Sequence, residues 1–136
     1  TDILFCNKEE SQHITKNNSA DIKVLLEAVR AMGPKLVVIT DGPKGAYAGN
    51  GKETWFMPMY PDPAPPVERT GAGDAFSATF TVARALGKTI PEALSWGPIN
   101  SMSVVQHVGA QVGILTREQL EKHLAHAPAD YKPQQI

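Results

Sequence analysis

Thr70-Gly71-Ala72-Gly73-Asp74-Ala75-Phe76-Ser77 is the stretch on which the reading of this chain turns. Two glycines and an alanine stand just before an apolar, helix-patterned run, and a carboxylate stands where loop becomes helix. In such a turn backbone N–H groups converge on one spot, and the helix dipole adds partial positive charge there. That suits a phosphate in transfer, with Asp74 beside it as a base for an attacking hydroxyl. The plainer alternative is a tight loop capped by Asp74, a good N-cap residue. Gly-x-Gly turns are common, so spacing alone does not choose between the two.

Outward from this turn the pattern alternates strands with helices. Residues 3–6 form a short apolar run that predicts a buried strand. Ser19-Ala20-Asp21 opens a helix through Met32, with Ile22, Leu25, Leu26 and Val29 at helical spacing and Gly33-Pro34 as its stop. Residues 36–40 are a continuous β-branched run, the mark of a strand buried on both faces. Residues 46–48 and 54–59 predict a hairpin about the turn Gly49-Asn50-Gly51. Between residues 58 and 66 lie five prolines, at Pro58, Pro61, Pro63, Pro65 and Pro66. They exclude a helix or a central strand; a stiff surface loop is the preferred reading and an interdomain linker the other. Beyond it, residues 74–86 carry the stripe Phe76, Phe80, Ala83 and Leu86, closed by Gly87. Pro91 opens a helix through Gln106 that Gly97-Pro98 is expected to kink or break. Thr116-Arg117-Glu118-Gln119 resembles a capping box for a last helix to about His123. The tail from Pro128 is polar and expected to fray. Strand–helix–strand followed by a hairpin predicts an α/β sheet with helices on its faces.

Composition bounds the function. The chain has 136 residues, 42% of them hydrophobic, a net charge of −1 and no Lys/Arg cluster. One core can form, and a nucleic-acid surface has no electrostatic support. No apolar run reaches membrane-spanning length and no signal peptide is visible. The single cysteine, Cys6, excludes an internal disulfide, reads as a small core residue and fits a reducing cytoplasm. The opening Thr1-Asp2, without Met, suggests a piece cut or cloned from something longer.

Two further constellations carry chemistry. Asn7 and Glu10, three apart after the first strand, could face one cleft at the strand's carboxyl end. An amide and a carboxylate suit a Mg²⁺ ion that keeps most of its waters, and an Asn cap with an acidic first helical turn is the alternative. Glu9, between them, reads as solvated. Thr40-Asp41-Gly42-Pro43-Lys44-Gly45 follows the best strand. Its hydroxyl, its glycines and Lys44 can line the phosphates or ribose of a nucleotide, although a plain turn has the same composition. No Gly-x-x-x-x-Gly-Lys-Ser/Thr is present, so a P-loop enzyme is not supported. His123 and His126 read as a solvated pair without further ligands, and Trp55 and Trp96 as core or pocket-wall aromatics.

Taken in order, Asn7-Lys8-Glu9-Glu10, Thr40-Asp41-Gly42-Pro43-Lys44-Gly45, Thr70-Gly71-Ala72-Gly73-Asp74 and Val108-Gly109-Ala110 resemble the C-terminal part of the ribokinase-like (PfkB) carbohydrate kinase family. That family shows Asn-x-x-Glu after a strand, Thr-x-Gly-x-x-Gly after the next, and then Thr-Gly-Ala-Gly-Asp. The resemblance covers essentially residues 1–136. It implies the C-terminal nucleotide-binding and catalytic portion of a ribokinase-like three-layer α/β fold, with the sugar-binding and lid part upstream. It implies that Gly71, Ala72 and Gly73 form an anion hole beside the catalytic Asp74. It assigns Thr40, Gly42, Lys44, Gly45, Asn7 and Asn100 to ATP, and Glu10 with Asn7 to Mg²⁺, mostly through water. Asn100 would lie near the adenine, and His107 would edge the same pocket.

The sequence departs from the family at Glu68-Arg69-Thr70, where many members have Asp-Thr-Thr. Those positions, with residues 104–113, help hold a monovalent cation in the family, so the departure puts potassium activation in question. The expected activity is transfer of the γ-phosphate of ATP to a sugar hydroxyl, or in a related kinase to a nucleoside or vitamin alcohol. The contrasting expectation is a fragment that binds nucleotide or self-associates without turnover. An exposed sheet edge would favour pairing with another chain, hence a homo-oligomer, in the cytoplasm and with no nucleic-acid or membrane partner.

Overall fold

The computed structural model describes residues 2–62, 71–106 and 115–136. These divide into two compact units, Thr1–Met57 with Gln134–Ile136, and Pro58–Pro133. The division falls at the first proline of the run, where the sequence offered a linker as its second reading.

In the first unit the strands are β1 (Ile3–Asn7), β2 (Leu36–Thr40), β3 (Ala46–Gly49), β4 (Thr54–Met57) and β5 (Gln134–Gln135). They form one mixed sheet in the order β1-β2-β3-β4-β5. β1 and β2 run parallel, in a register that pairs Ile3 with Leu36 and Asn7 with Thr40. The remaining neighbours are antiparallel. Parallel neighbours need a crossover, supplied here by α1 (Lys8–Thr15) and α2 (Ile22–Arg30).

α2 starts at Asp21, whose side chain accepts the Lys23 N–H at 2.9 Å. Its stripe of Ile22, Leu25, Leu26 and Val29 packs with Val37, Ile39 and Cys6. Each fully buried Leu or Val of such a cluster contributes about 1.5–3 kcal/mol. Leu36 and Val38 are buried as well, so β2 is covered on both faces as its composition predicts. In β1 only Cys6 is buried, because β1 is the terminal strand of the sheet; the expectation of a fully buried strand is corrected. The hairpin turn is closed by Asn50, whose Oδ1 accepts the N–H groups of Lys52 and Glu53 at 2.9 Å each.

The second unit holds α3 (Ala72–Ala85), α4 (Ile90–Val105) and α5 (Arg117–Ala125). Phe76, Phe80 and Ala83 of α3 are buried, whereas Leu86 is 49% exposed and does not continue the stripe. α4 enters through a capping box of Thr89 and Glu92 and runs unbroken through Pro98, so the break expected at Gly97-Pro98 is corrected. Burial accounts for the tolerance. Pro98 is fully buried, and a Cβ on Gly97 would lie 2.7 Å from the Phe76 ring. The glycine therefore lets α3 approach α4 closely, and that packing offsets the hydrogen bond Pro98 cannot donate.

The capping box at Thr116 is present as read. Trp96 is buried, with the Lys88 ammonium 5.6 Å and the Arg117 guanidinium 5.8 Å from its ring centroid. The tail is not frayed. Buried Tyr131 donates its hydroxyl to the Ser95 carbonyl and packs edge-on against Tyr60 at 5.0 Å, and β5 then joins the sheet.

Candidate functional site

The parallel register places Asn7 and Thr40 side by side, each the last residue of its strand. Chain direction reverses just beyond both, which leaves polar groups at the carboxyl edge of the sheet. Asn7 caps α1: its Oδ1 accepts the Glu10 N–H at 2.8 Å, and Glu10 Oε1 accepts the Asn7 N–H at 2.8 Å. The two residues are thus brought together as a reciprocal capping box, the alternative weighed from sequence, and both side chains stay exposed. One oxygen of Glu10 is spent in the box, and its second has no hydrogen-bond partner among the described residues. Glu9 is exposed, as read. Below the pair, burial and then the Glu10 charge push the Cys6 thiol up to about 11, so it stays protonated and suits its core position.

Thr40 leads into a tight 3₁₀ turn, Gly42–Lys44. Its closing bonds run from Lys44 N–H to Asp41 O at 3.0 Å, Gly45 N–H to Gly42 O at 3.2 Å, and Asp41 N–H to Gly45 O at 2.8 Å. Gly42 and Lys44 are exposed on this turn and Gly45 is buried beneath it. Tyr47 lies nearby, its hydroxyl held above the usual range by burial and then by the Asp41 charge.

In the second unit, Gly71 sits at the N-cap of α3 with φ of 83°, a left-handed conformation that favours glycine. The helix begins at Ala72, so Asp74 is its third residue and not its cap. The capping alternative for Asp74 is corrected by this geometry. No side chain caps the entry, and Asp74 is exposed. The N–H groups of Ala72, Gly73 and Asp74 come too early in the helix to find an intrahelical acceptor. Among the described residues nothing lies within 4 Å of a Cβ built on Gly73, so that face of the turn is open to them. The turn presents donors, positive dipole and a carboxylate at one exposed helix end.

Asn100 lies inside the unit. It is 6% exposed, donates Nδ2–H to Thr79 Oγ1 at 2.8 Å, and accepts the Leu115 N–H through Oδ1 at 2.9 Å. Its amide therefore ties α4 to α3 and to the entry of α5. Ser101, which the sequence reading passed over, donates its hydroxyl to the Ala72 carbonyl at 2.8 Å. A serine within an apolar helix carries no signature of that role, because its partner is backbone.

His126 Nδ1 lies 2.8 Å from the Lys122 carbonyl, and His123 packs edge-on to Tyr60. Among the described residues no group of three or more His, Cys, Asp or Glu could hold a metal ion, and no helix is long and apolar enough to cross a membrane. The departure at Glu68-Arg69-Thr70, His107 and Val108-Gly109-Ala110 lie outside the described residues.

Residues 1–117 match the model of the pfkB family carbohydrate kinases. The chain is 38% identical over 95 residues to the ribokinase of Bacillus subtilis, covering 70% of this chain and 32% of that protein. It is 33% identical over 110 residues to the cytidine kinase of Thermococcus kodakarensis, covering 79% and 38%. Among solved structures, Arabidopsis thaliana ribokinase complexed with ribose and ATP superposes with a TM-score of 0.82 at 30% identity, over 90% of this chain and 40% of that one. An Escherichia coli chain in complex with ATP and Mg²⁺ gives 0.80 at 25% identity, over 93% and 40%. The chain thus spans about a third of the length of these curated relatives.

Proposed function

The chain belongs to the pfkB family of carbohydrate kinases, and from that premise we propose that it supplies the catalytic turn and nucleotide side of an ATP-dependent kinase acting on a sugar or nucleoside hydroxyl. The observation that carries this reading is the entry to α3. Of the five α-helices described, four start on a capping side chain, from Asn7, Asp21, Thr89 and Thr116, and α3 starts on Gly71 with none. Three early N–H groups are thereby left for an anion, at the helix end where the dipole favours one.

Asp74 orients the acceptor hydroxyl and takes its proton as the hydroxyl oxygen bonds to the γ-phosphorus of ATP and the bond from that phosphorus to the bridging oxygen breaks, releasing ADP. The N–H groups at Ala72, Gly73 and Asp74 stabilise the charge that develops on the transferring phosphoryl oxygens. The turn from Thr40 to Gly45 lines the nucleotide phosphates, with Lys44 as an exposed cation. Asn7 and Glu10 would hold Mg²⁺ mostly through its waters, with the capping box already occupying Asn7 Oδ1 and Glu10 Oε1. Glu10 then orients hydration water by its other oxygen. When bound, Mg²⁺ offsets negative charge on the phosphates. The fold's relation to both a ribokinase and a cytidine kinase leaves the acceptor class as sugar or nucleoside. A cytoplasmic setting fits the buried, reduced Cys6.

A second reading concerns the 136-residue polypeptide by itself, and the short coverage of its relatives favours it. On that reading it binds nucleotide without turnover. Calorimetry with ATP and Mg²⁺ is expected to show weak binding to the 136-residue chain, and ribose, fructose and cytidine are expected to remain unphosphorylated. The full-length kinase carrying it is expected to phosphorylate at least one of these classes. Absence of any nucleotide binding to either form contradicts the proposal.

A further inference from the structure

Asn100 and Ser101 are two consecutive members of the buried polar set of α4, which also holds Ser95 and Ser103, and both reach α3. Ser101 is 4% exposed and donates to the carbonyl of Ala72 at 2.8 Å. Asn100 donates to Thr79 Oγ1, which donates in turn to the Ala75 carbonyl at 2.6 Å. The first turn of α3 is therefore braced from α4 directly at the Ala72 carbonyl and, through Thr79 of α3, at the Ala75 carbonyl. Its opposite, N–H side has no side-chain cap among the described residues.

The Ala72 carbonyl does not need Ser101 for satisfaction. Its helical partner is the N–H of Phe76, four residues on, and a carbonyl oxygen has a second lone pair for a further donor. What the hydroxyl adds is direction. The carbonyl of Ala72 and the N–H of Gly73 belong to one planar peptide and point opposite ways; no cis peptide occurs among the described residues. A buried donor fixed on one end sets the aim of the other. Accepting at the carbonyl also polarises the same peptide and strengthens its N–H as a donor.

We infer that Ser101 is a positioning residue for phosphate, acting through the Ala72–Gly73 peptide to aim the Gly73 N–H into the open space over the turn. This rests on the phosphate-facing role proposed above for residues 71–74. Ser101 touches no reacting atom. Its role is to hold one donor in the orientation the anion needs before the anion arrives, which lowers the cost of binding.

The test is ¹⁵N NMR of the 136-residue chain, wild type against Ser101→Ala, with ATP and Mg²⁺ as the probe. Ser101→Cys serves as a second variant that keeps the core filled but donates weakly. In the free chain, Ser101→Ala is expected to move the Gly73 amide more than any other amide of α3, with Ser101→Cys between it and wild type. On titration, the dissociation constant read at Gly73 is expected to rise roughly three- to tenfold in Ser101→Ala, the range for one lost positioning hydrogen bond. A folded variant with an unmoved Gly73 amide, or with unchanged nucleotide affinity, overturns the inference. Should Ser101→Ala not fold, Ser101→Cys is judged by the same two readings. A wild-type Gly73 amide indifferent to ATP and Mg²⁺ instead removes the phosphate reading of the turn, and this inference with it. The free-chain shift distinguishes that failure from the first, because it reports the tether alone.

Discussion

Two helix entries in this molecule use similar residues to opposite ends. The entry to α1 is closed on itself: Asn7 and Glu10 exchange two hydrogen bonds and satisfy the early N–H groups they touch. The entry to α3 is open, with a left-handed glycine where a cap would stand, and its carboxylate, Asp74, bonded to no N–H of the turn in the structure. A capped helix start is stable and chemically quiet, whereas an uncapped one leaves donors for a ligand and forgoes about 1 kcal/mol of capping. The difference teaches that a carboxylate near a helix start is not read by its type alone. At position three with a reciprocal partner one of its oxygens is spent on structure, and at position three beside glycines both are available for chemistry.

The contrast is broken most forcefully at the glycines. Gly71→Ala places a Cβ on a residue with φ of 83° and is expected to cost about 1–2 kcal/mol in urea unfolding. Gly73→Ala is expected to go the other way. Its Cβ meets open space within a helix, so stability should rise by about 0.5–1 kcal/mol while ATP binding weakens, because a methyl enters the space left for phosphate. Stability and binding moving together at Gly73 would show the turn to be a plain helix start.

At the closed entry, Asn7→Ala is expected to lose about 1 kcal/mol of stability. Glu10→Gln keeps an acceptor oxygen for the Asn7 N–H, so the melting temperature should hardly move. The Mg²⁺ dependence of rate in the full-length kinase should nonetheless weaken, since the charge that orients hydration water is gone. A melting-temperature collapse with an unaltered Mg²⁺ response would make Glu10 a cap and nothing more.

The smallest effect lies beneath that entry, at Cys6. Its thiol is raised from 9.0 to about 11 by burial and the Glu10 charge, so the folded chain holds the proton more tightly than the unfolded one. The stability this gives is fully present below about pH 9 and is lost as pH rises through about 11. Urea unfolding across that window should show the loss in wild type and not in Cys6→Ala. Equal slopes in the two would mean that burial and the Glu10 charge do not raise the thiol in the folded chain.

Most of the sheet was legible because its signals are local. The run Leu36-Val37-Val38-Ile39 can only be a doubly covered strand, and Asn50-Gly51 only a turn. β5 was not legible, since Gln134-Gln135 has no strand character and its partners, Trp55 and Phe56, are far off in sequence. Pro98 misled for a related reason. Its cost is local and visible, but the compensation comes from Phe76 packing over Gly97 on another helix. At the candidate site, the motif spacing singled out Asn7, Thr40 and Asp74, and the register then placed Asn7 beside Thr40. The role of Ser101 was hidden because its partner is a carbonyl 29 residues away. Asn100 was read toward a ligand, while burial gives its amide two protein partners.

Asp74 stands exposed at the open entry, and Asp74→Asn in the full-length kinase tests the role in hydroxyl activation proposed for it. The substitution removes charge and basicity at almost constant shape. Because Asp74 is not the cap, helix stability should fall by no more than a few tenths of a kcal/mol, the loss of one exposed charge near the dipole. ATP affinity should hold or rise as negative charge leaves the neighbourhood of the phosphates. The account predicts a kcat lower by about 10²–10⁴ with the melting temperature nearly unchanged. A folded Asp74→Asn enzyme with near-normal kcat would contradict it.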